Sequence, residues 1–363
     1  SEQVFLIKGA KIYTSGSRGV LEDAALLIEG GKIRKIIQGE VLPSFPVKDF
    51  SGKCIMPGMV DAHTYLSGYY RLLENTEAIT SDMAAYVAFE PILPEVRDAL
   101  HSGITTVHFS PRNENLVGGI SSVFKLTQSL GNLHFLKERA FLKISFCSEA
   151  IRSDRAPTSL MGAERILTEK MRELEVNNGG NRTAVFPQKG LRALVNGELM
   201  PLIAASNMEE VNTALKLLDE WKIKGVIVGG EEAHFLGTQL KERGIPVLLS
   251  PLLFSYPEKI VKNAAHLVRE GIKTAFVSHM PEAEPLSLRL SALMLYHQGI
   301  PQEKAIKTIT LAPAEILGVA DSVGSIEEGK DADIVVLSGE PLDLSSRVVA
   351  VYVDGRPVIE REN

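Results

Sequence analysis

The sequence predicts an α/β protein whose main part is a (β/α)8 barrel, a TIM barrel, with a small β-sandwich built from both chain ends. Two observations carry this prediction. Through the middle of the chain, short apolar segments alternate with amphipathic helical segments, which is the pattern of a parallel sheet with crossover helices. The two ends of the chain instead show alternating strands separated by hairpin turns.

Short apolar segments in the middle of the chain are candidate strands. They span residues 54–63, 103–110, 118–126, 140–146, 199–206, 225–230, 245–250 and 274–279. Helical patterns are clear at 208–221 and 231–243, and the second is followed by Gly244, a favoured helix C-cap. The strand number is that of a (β/α)8 barrel. An open doubly wound sheet remains the alternative, although no glycine-rich dinucleotide-binding motif follows a strand.

The chain ends carry the signals of antiparallel hairpins. Gly30-Gly31 and Asp354-Gly355 each separate two alternating segments, and such pairs favour two-residue hairpin turns. A sheet must bury its apolar face, and neither end makes a domain alone. We therefore expect a composite β-sandwich domain of residues 1–56 and 322–363, and a barrel domain of residues 57–321.

Composition and charge narrow the class of function. The 363 residues are 45% apolar and 23% charged, with a net charge of -6, as in an ordinary globular protein. No run of lysines and arginines interleaved with aromatic residues could follow a phosphate backbone, so we expect no nucleic-acid partner. The absence of a signal-peptide pattern or a bilayer-length apolar stretch predicts a cytoplasmic protein without a membrane partner. We expect a small-molecule substrate or ligand, and buried apolar roles for Cys54 and Cys147.

One motif lies where the first barrel strand is expected. Residues 57–65 read PGMVDAHTY, and side chains two apart on a strand share a side, so Asp61, His63 and Tyr65 should face the barrel axis. This stretch resembles the amidohydrolase superfamily, in which the strand ends Asp-x-His-x-His and the two histidines bind metal. Further motifs resemble the imidazolonepropionase-related branch of that superfamily, so that the resemblance covers nearly the whole chain. They lie at 103–107, 117–119, 157–162, 310–318 and 324–333.

The resemblance implies a metal site at the C-terminal ends of the barrel strands, but most of the expected ligands are replaced. The second histidine of the first strand is Tyr65 here. Relatives use a carboxylated lysine or a glutamate on the fourth strand, for which Lys143 and Glu149 are the candidates. The fifth and sixth strands lack the histidines of relatives. The eighth has Ser278 or His279 where relatives have an aspartate that is both ligand and general base.

A single-metal site is one interpretation of the remaining residues. His63 and His279 are its candidate ligands, because the first and last strands of a closed barrel are neighbours. Glu149, Glu231 or His108 would complete it. Relatives bind zinc or another divalent metal, and whether this chain binds any metal stays open.

Metal-free chemistry is the other interpretation. His63, Tyr65, Lys143 and His279 would then act as acid and base groups at the barrel mouth. We expect Lys143 to pair with Asp61 or a nearby glutamate, because an unpaired buried charge is costly.

Three functions follow from these interpretations. The first is a hydrolase of a non-peptide carbon-nitrogen bond in a cyclic or linear amide, with water activated by one metal or by His279. The second is a pseudoenzyme, a catalytically inactive member of the same fold that acts as a binding or oligomeric partner, which the loss of ligands on several strands favours. The third is a metal-free lyase or isomerase. Many relatives form homo-oligomers, and for this chain the oligomeric state stays open.

Overall fold

The computed structural model describes residues 3–177 and 188–361, and these contain both helices and strands. The α/β class is confirmed. Residues 1–2 and 362–363 of the predicted terminal unit lie outside the described residues. The strands, in chain order, are β1 (Val4–Tyr13), β2 (Val20–Glu29), β3 (Lys32–Gln38), β4 (Val47–Pro57), β5 (Met59–Thr64), β6 (Ile104–Phe109), β7 (Val117–Ile120), β8 (Ser122–Lys125), β9 (His134–Lys137), β10 (Phe141–Ser145), β11 (Met200–Ala205), β12 (Val226–Gly229), β13 (Val247–Leu249), β14 (Thr274–Phe276), β15 (Ile334–Leu337), β16 (Val348–Val353) and β17 (Arg356–Glu360).

The helices lie mainly between the strands of the middle of the chain. In chain order they are α1 (Pro94–His101), α2 (Leu160–Asn177), α3 (Lys189–Val195), α4 (Met208–Trp221), α5 (Gly237–Arg243), α6 (Glu258–Arg269), α7 (Ser287–His297), α8 (Gln302–Lys307) and α9 (Leu311–Ile316). The predicted helix 208–221 is α4. The predicted helix 231–243 starts as a 3₁₀ turn, Ala233–Leu236, and continues as α5 to the left-handed C-cap Gly244. Among the described helices, none has the length and apolar character that a bilayer span requires.

Both chain ends contribute strands to one seven-stranded sheet. Its order is β17-β16-β15-β4-β1-β2-β3. The predicted turns at Gly30-Gly31 and Asp354-Gly355 connect β2 to β3 and β16 to β17, and both pairs are antiparallel. The central strand of the sheet is β4, which pairs with β1 on one side and with β15 on the other. Since β4 leads directly into β5, this sheet positions the first strand of the candidate site.

The candidate strands of the middle of the chain are all present, and they form two further sheets. One has the order β14-β13-β12-β11-β10-β7 and the other the order β5-β6-β8-β9. The pairs from β10 to β14 are parallel, as predicted. The edge strands β5 and β14 lie against each other, which brings together the ends of the first and last predicted strands.

The third predicted strand departs from the parallel pattern. It divides into β7 and β8, of which β8 runs antiparallel to β6 and β7 runs antiparallel to β10. The reason lies in the connection, because residues 110–121 between β6 and its partner β8 contain only loops and β7, and no helix. A parallel return usually crosses over through a helix. The regular (β/α)8 pairing is therefore broken at this strand, and a closed barrel stays a prediction.

Candidate functional site

The candidate site lies where β5 and β10 end. His63 on β5 and Lys143 on β10 are both buried, and Lys143 Nζ lies 2.8 Å from His63 Nε2. Tyr65, two residues after His63, places its ring edge-on with the ring centroids 5.1 Å apart. Lys143 Nζ is 5.7 Å from the centre of the Tyr65 ring. The structure thus gathers three of the four predicted acid-base residues, although β5 and β10 belong to different sheets.

Lys143 makes its hydrogen bonds to neutral groups. Besides His63, its amine donates to the Pro111 carbonyl oxygen at 3.0 Å and lies 3.5 Å from Ser110 Oγ. The side chain has no exposed surface. The expected pairing with Asp61 or a glutamate is not found, and the reason is that Asp61 is engaged elsewhere. A fully buried lysine without a carboxylate partner is unusual, because burial disfavours its charged form.

Burial controls the protonation of the Lys143–His63 pair. It lowers the pKa of Lys143 to about 7, although the nearby Cys147, Glu114 and Glu149 oppose the shift. Burial, reinforced by the charge of Lys143, holds the pKa of His63 well below its usual range. His63 is therefore neutral and accepts the hydrogen bond from Lys143 at Nε2. Near neutral pH the pair shares at most one proton, which resides on the lysine.

His279 stands apart from the other three residues. It follows β14 with a φ of 55°, a left-handed conformation that non-glycine residues rarely adopt. Within the described residues no hydrogen bond joins its ring to His63, Tyr65 or Lys143. Its charge nevertheless contributes to the lowered pKa of His63, and burial lowers the pKa of His279 itself. The structure thus places it near the pair but not in contact with it.

Asp61 pairs with the last strand rather than with Lys143. Its Oδ1 accepts the backbone N–H of Ser278 at 3.0 Å, and its Oδ2 accepts the Ser278 hydroxyl. Burial raises the pKa of Asp61 to about 7, against the hydrogen bonds from Ser278. The sequence offered one signal for this contact, since Ser278 ends the last strand and Asp61 lies on the first.

Two of the three candidate further ligands are committed to other partners. His108 Nδ1 lies 2.7 Å from the Ala62 carbonyl oxygen, and its Nε2 lies 2.7 Å from Ser121 Oγ. Glu231 accepts the Ser206 hydroxyl at 2.6 Å. Glu149 lies on the 3₁₀ turn Ser148–Ala150 and is exposed. Both nitrogens of His108 are thus used within the protein.

The residues present do not fit a bound metal in this arrangement. His63 Nε2, the nitrogen that faces the site, is covered by the amine of Lys143. A metal needs three or more donors in a convergent arrangement. Within residues 3–177 and 188–361, no three His, Cys, Asp or Glu side chains are grouped in that way.

Polar residues after β6 form a rim that sequence reasoning did not single out. The Arg112 guanidinium stacks on the Tyr69 ring at 3.7 Å and pairs with Glu114 at 2.7 Å. The Tyr65 hydroxyl donates a long hydrogen bond of 3.4 Å to Asn113 Oδ1. The signal was a run of polar residues directly after a strand, at the end where barrel proteins keep their sites.

Comparisons with known proteins find similarity to amidohydrolases. A model of the Amidohydrolase family matches residues 269–359. The amidohydrolase tasK of Hapsidospora irregularis is 36% identical over 89 residues, which are 24% of this chain and 9% of tasK. The imidazolonepropionase of Thermoplasma acidophilum is 22% identical over a 377-residue alignment that covers 91% of this chain and 87% of the relative.

A solved structure extends the likeness to almost the entire chain. The amidohydrolase from Thermotoga maritima MSB8 superposes with a TM-score of 0.88 and 29% sequence identity, covering 98% of this chain and 100% of the other. Fold, motif and sequence similarity therefore all support one family for this chain: the amidohydrolase superfamily, in its imidazolonepropionase-related branch.

Proposed function

We propose that this protein hydrolyses a non-peptide carbon-nitrogen bond in a cyclic or linear amide, and that Lys143 and His63 do this work without a metal. One observation carries the proposal: the 2.8 Å contact between Lys143 Nζ and His63 Nε2 in a fully buried setting. An amine whose pKa is near 7 is well suited to accept a proton near neutral pH. Membership in a superfamily of hydrolases supports the reaction class.

The proposed reaction assigns a role to each predicted residue. Neutral Lys143 takes a proton from a water molecule, which attacks the amide carbon, and His63 holds the amine in place by accepting one of its hydrogens. Tyr65 remains protonated because burial raises the pKa of its hydroxyl. That hydroxyl makes only a long hydrogen bond to Asn113, so it can turn to the oxyanion that forms. The carbon-nitrogen bond then breaks, and Lys143 gives the proton that it took from water to the leaving nitrogen, while His279, neutral because burial lowers its pKa, accepts a hydrogen bond from that nitrogen.

A cavity beside the site supports a small-molecule substrate. It has a volume of about 420 Å³ and lies between the loops that follow β5 and β6. Pro111 and Gly118 form part of its wall, and Lys143 contacts Pro111 from the other side. Arg71 and Met83 also line it, so the cavity combines charged and apolar surface. The size suits a small organic molecule.

A pseudoenzyme is the second candidate function. The specific observation in its favour is that the donor residues of the described chain do not converge on a metal position, while His63, Asp61 and His108 are each held by other groups. Such a protein would retain the fold and bind a partner or ligand.

Turnover of amides with and without chelator separates these functions. Protein purified with a chelator is assayed against cyclic and linear amides by detecting the released amine or the opened ring. We expect turnover that persists without metal and falls by about 100-fold or more in Lys143→Met, whereas Lys216→Met, which alters an exposed lysine on α4, behaves as the native protein. Activity that requires stoichiometric metal would contradict the proposal. Absence of turnover over a broad panel, with unchanged ligand binding in Lys143→Met, would favour the pseudoenzyme.

The finer architecture also belongs to this proposal. We propose that residues 57–321 close into a barrel, and that residues 1–56 and 322–363 form a separate β-sandwich domain. The contact between β5 and β14 and the shared seven-stranded sheet support this division. Limited proteolysis should then cut first near the exposed Asp321, because Pro57 is buried in β4.

The setting of the protein is proposed on composition alone. A net charge of -6 and the lack of a basic aromatic patch support a cytoplasmic protein that binds neither nucleic acid nor membrane. We also propose a homo-oligomer, and light scattering after size-exclusion chromatography gives its mass directly.

A further inference from the structure

Asp61 is the point at which the first and last strands of the site are joined. The carboxylate has no exposed surface. Three donors converge on it: the backbone N–H of Ser278 at 3.0 Å, the backbone N–H of His63 at 3.4 Å, and the Ser278 hydroxyl. Two of these donors belong to the end of β14 and one belongs to β5. One side chain therefore touches the backbone on both sides of the site.

The segment that Asp61 holds is a turn with an unusual conformation. Ser278 Oγ, which donates to Asp61, also accepts the backbone N–H of Met280 at 3.0 Å. These two bonds span His279, whose φ of 55° lies in the left-handed region. A non-glycine residue persists there only when its surroundings fix it. The Met280 carbonyl oxygen in turn accepts the backbone N–H of Tyr65 at 3.1 Å, which ties the turn back to the chain after β5.

We infer that Asp61 is a positioning residue that sets His63 and His279 in a fixed relation across the two strands. It touches neither ring. It acts through the backbone of His63 and through the Ser278 bridge to the left-handed turn, so that both imidazoles are placed by one buried carboxylate. Its effect on turnover rests on the proposed function, whereas its effect on the two rings does not.

The hydrogen-bond geometry predicts an order among three variants. Asp61→Ala removes both acceptor oxygens and leaves three buried donors without this partner. Ser278→Ala removes only the hydroxyl that links Asp61 to Met280 and makes a milder change. Asp61→Asn keeps an oxygen for the two backbone N–H groups, while its amide can donate to Ser278 Oγ, so it should restore the native arrangement. Ser122→Ala is the matched control, because Ser122 is an equally buried serine whose hydroxyl donates to the Glu138 carbonyl oxygen, outside the contacts of Asp61 and Ser278.

Histidine ring signals in the NMR spectrum of isotope-labelled protein test the inference without a substrate. We expect the His63 and His279 signals to move in Asp61→Ala and Ser278→Ala and to return close to native positions in Asp61→Asn. The signals of the helical His266 and His297 should stay in place, and Ser122→Ala should leave all of them unchanged. Native His279 signals in a folded Ser278→Ala protein and in Asp61→Ala would overturn the inference.

A second readout distinguishes this inference from the proposed hydrolysis. If an amide substrate is found, Asp61→Ala should lower kcat by about 100-fold with little change in KM, since the effect is on alignment. If no amide is turned over, the ring signals still decide the positioning role. Should Asp61→Ala fail to fold, Ser278→Ala and Asp61→Asn carry the comparison, with a native His279 signal in Ser278→Ala counting against the role.

Discussion

At the scale of single residues, two buried lysines have opposite electrostatic surroundings. Lys143 contacts only neutral groups, and burial lowers its pKa to about 7. Lys125 is 1% exposed, and burial opposes its charge too, but Asp331, Asp333 and Asp354 surround it and raise its pKa above the ordinary value. Burial thus favours the neutral amine at Lys143, whereas the three aspartates keep Lys125 charged. This contrast is the reason that Lys143 is assigned to chemistry.

The surroundings of Lys143 predict a pH-dependent effect on stability. Between pH 7 and the ordinary lysine pKa, the unfolded chain binds a proton that the folded protein does not, so native stability rises with pH. The free energy of unfolding of Lys143→Met should therefore exceed that of the native protein by the largest amount at pH 7 and below. That gain should shrink towards pH 10, by up to about 5 kcal/mol. Urea titrations at several pH values measure it.

The control for this prediction is an exposed lysine of the same charge. Lys216→Met should show no comparable slope, because the Lys216 side chain is exposed to solvent in the folded protein as it is in the unfolded chain. A stability difference for Lys143→Met that stays constant from pH 6 to pH 10 would show that the amine remains protonated in the folded protein.

At the scale of elements, β7 depends on a close backbone approach. The segment before α1 runs alongside it, with isolated bridges from Ile79 to Val117 and from Ala84 to Ile120. Gly119 lies between them with a φ of 133°, and a Cβ there would collide with the Met83 carbonyl group. This packing forms part of the wall of the cavity beside Lys143, because Met83 and Gly118 both line that cavity.

Gly119→Ala should therefore destabilise the protein by about 3 kcal/mol, from backbone strain and steric overlap together. Gly52→Ala is the matched control, because Gly52 has a φ of 79° but nothing lies within 4 Å of an added Cβ. This variant therefore has the backbone strain without the steric overlap. We expect a loss of about 1 kcal/mol there. Denaturant midpoints give both values, and equal losses would mean that the overlap with Met83 costs nothing.

At the scale of the whole molecule, Lys125 connects the four-stranded sheet to the seven-stranded sheet. It lies on β8, and its Nζ contacts Asp331 at 2.7 Å, Asp333 at 3.0 Å and Asp354 at 2.5 Å. The three aspartates belong to the chain that enters and follows β15 and β16. A buried cation with several carboxylates is costly to break from one side.

Lys125→Met should lower the free energy of unfolding by about 3 to 5 kcal/mol, because it leaves buried carboxylates without a counter-ion. The loss should be larger at pH 8 than at pH 5, since burial raises the pKa of Asp333 to about 6 and its protonation removes the unpaired charge. Asp354→Asn, which changes only the most exposed of the three acids, should cost less. Thermal unfolding at both pH values measures the loss, and native stability of Lys125→Met would contradict this role.

The sequence alone determined the elements and the family. Hairpin turns at Gly30-Gly31 and Asp354-Gly355, the strand segments and the helix 208–221 follow from local periodicity and turn chemistry, which neighbouring residues supply. The motif at 57–65 also indicated that Asp61, His63 and Tyr65 share one side of β5. These features depend on contacts within a few residues, so the sequence specifies them directly.

The partners of those side chains were decided only by the tertiary structure. His63 meets Lys143, 80 residues along the chain, and Asp61 meets Ser278, 217 residues along it. Periodicity shows which side of a strand a residue faces, but not the register of the strand opposite. The third strand runs antiparallel because no helix connects β6 to β8. Asp61 bonds Ser278, so Lys143 bonds His63 instead of this carboxylate. Because register and strand direction arise from packing of the whole sheet, the candidate site could be located from the sequence but its pairing could not.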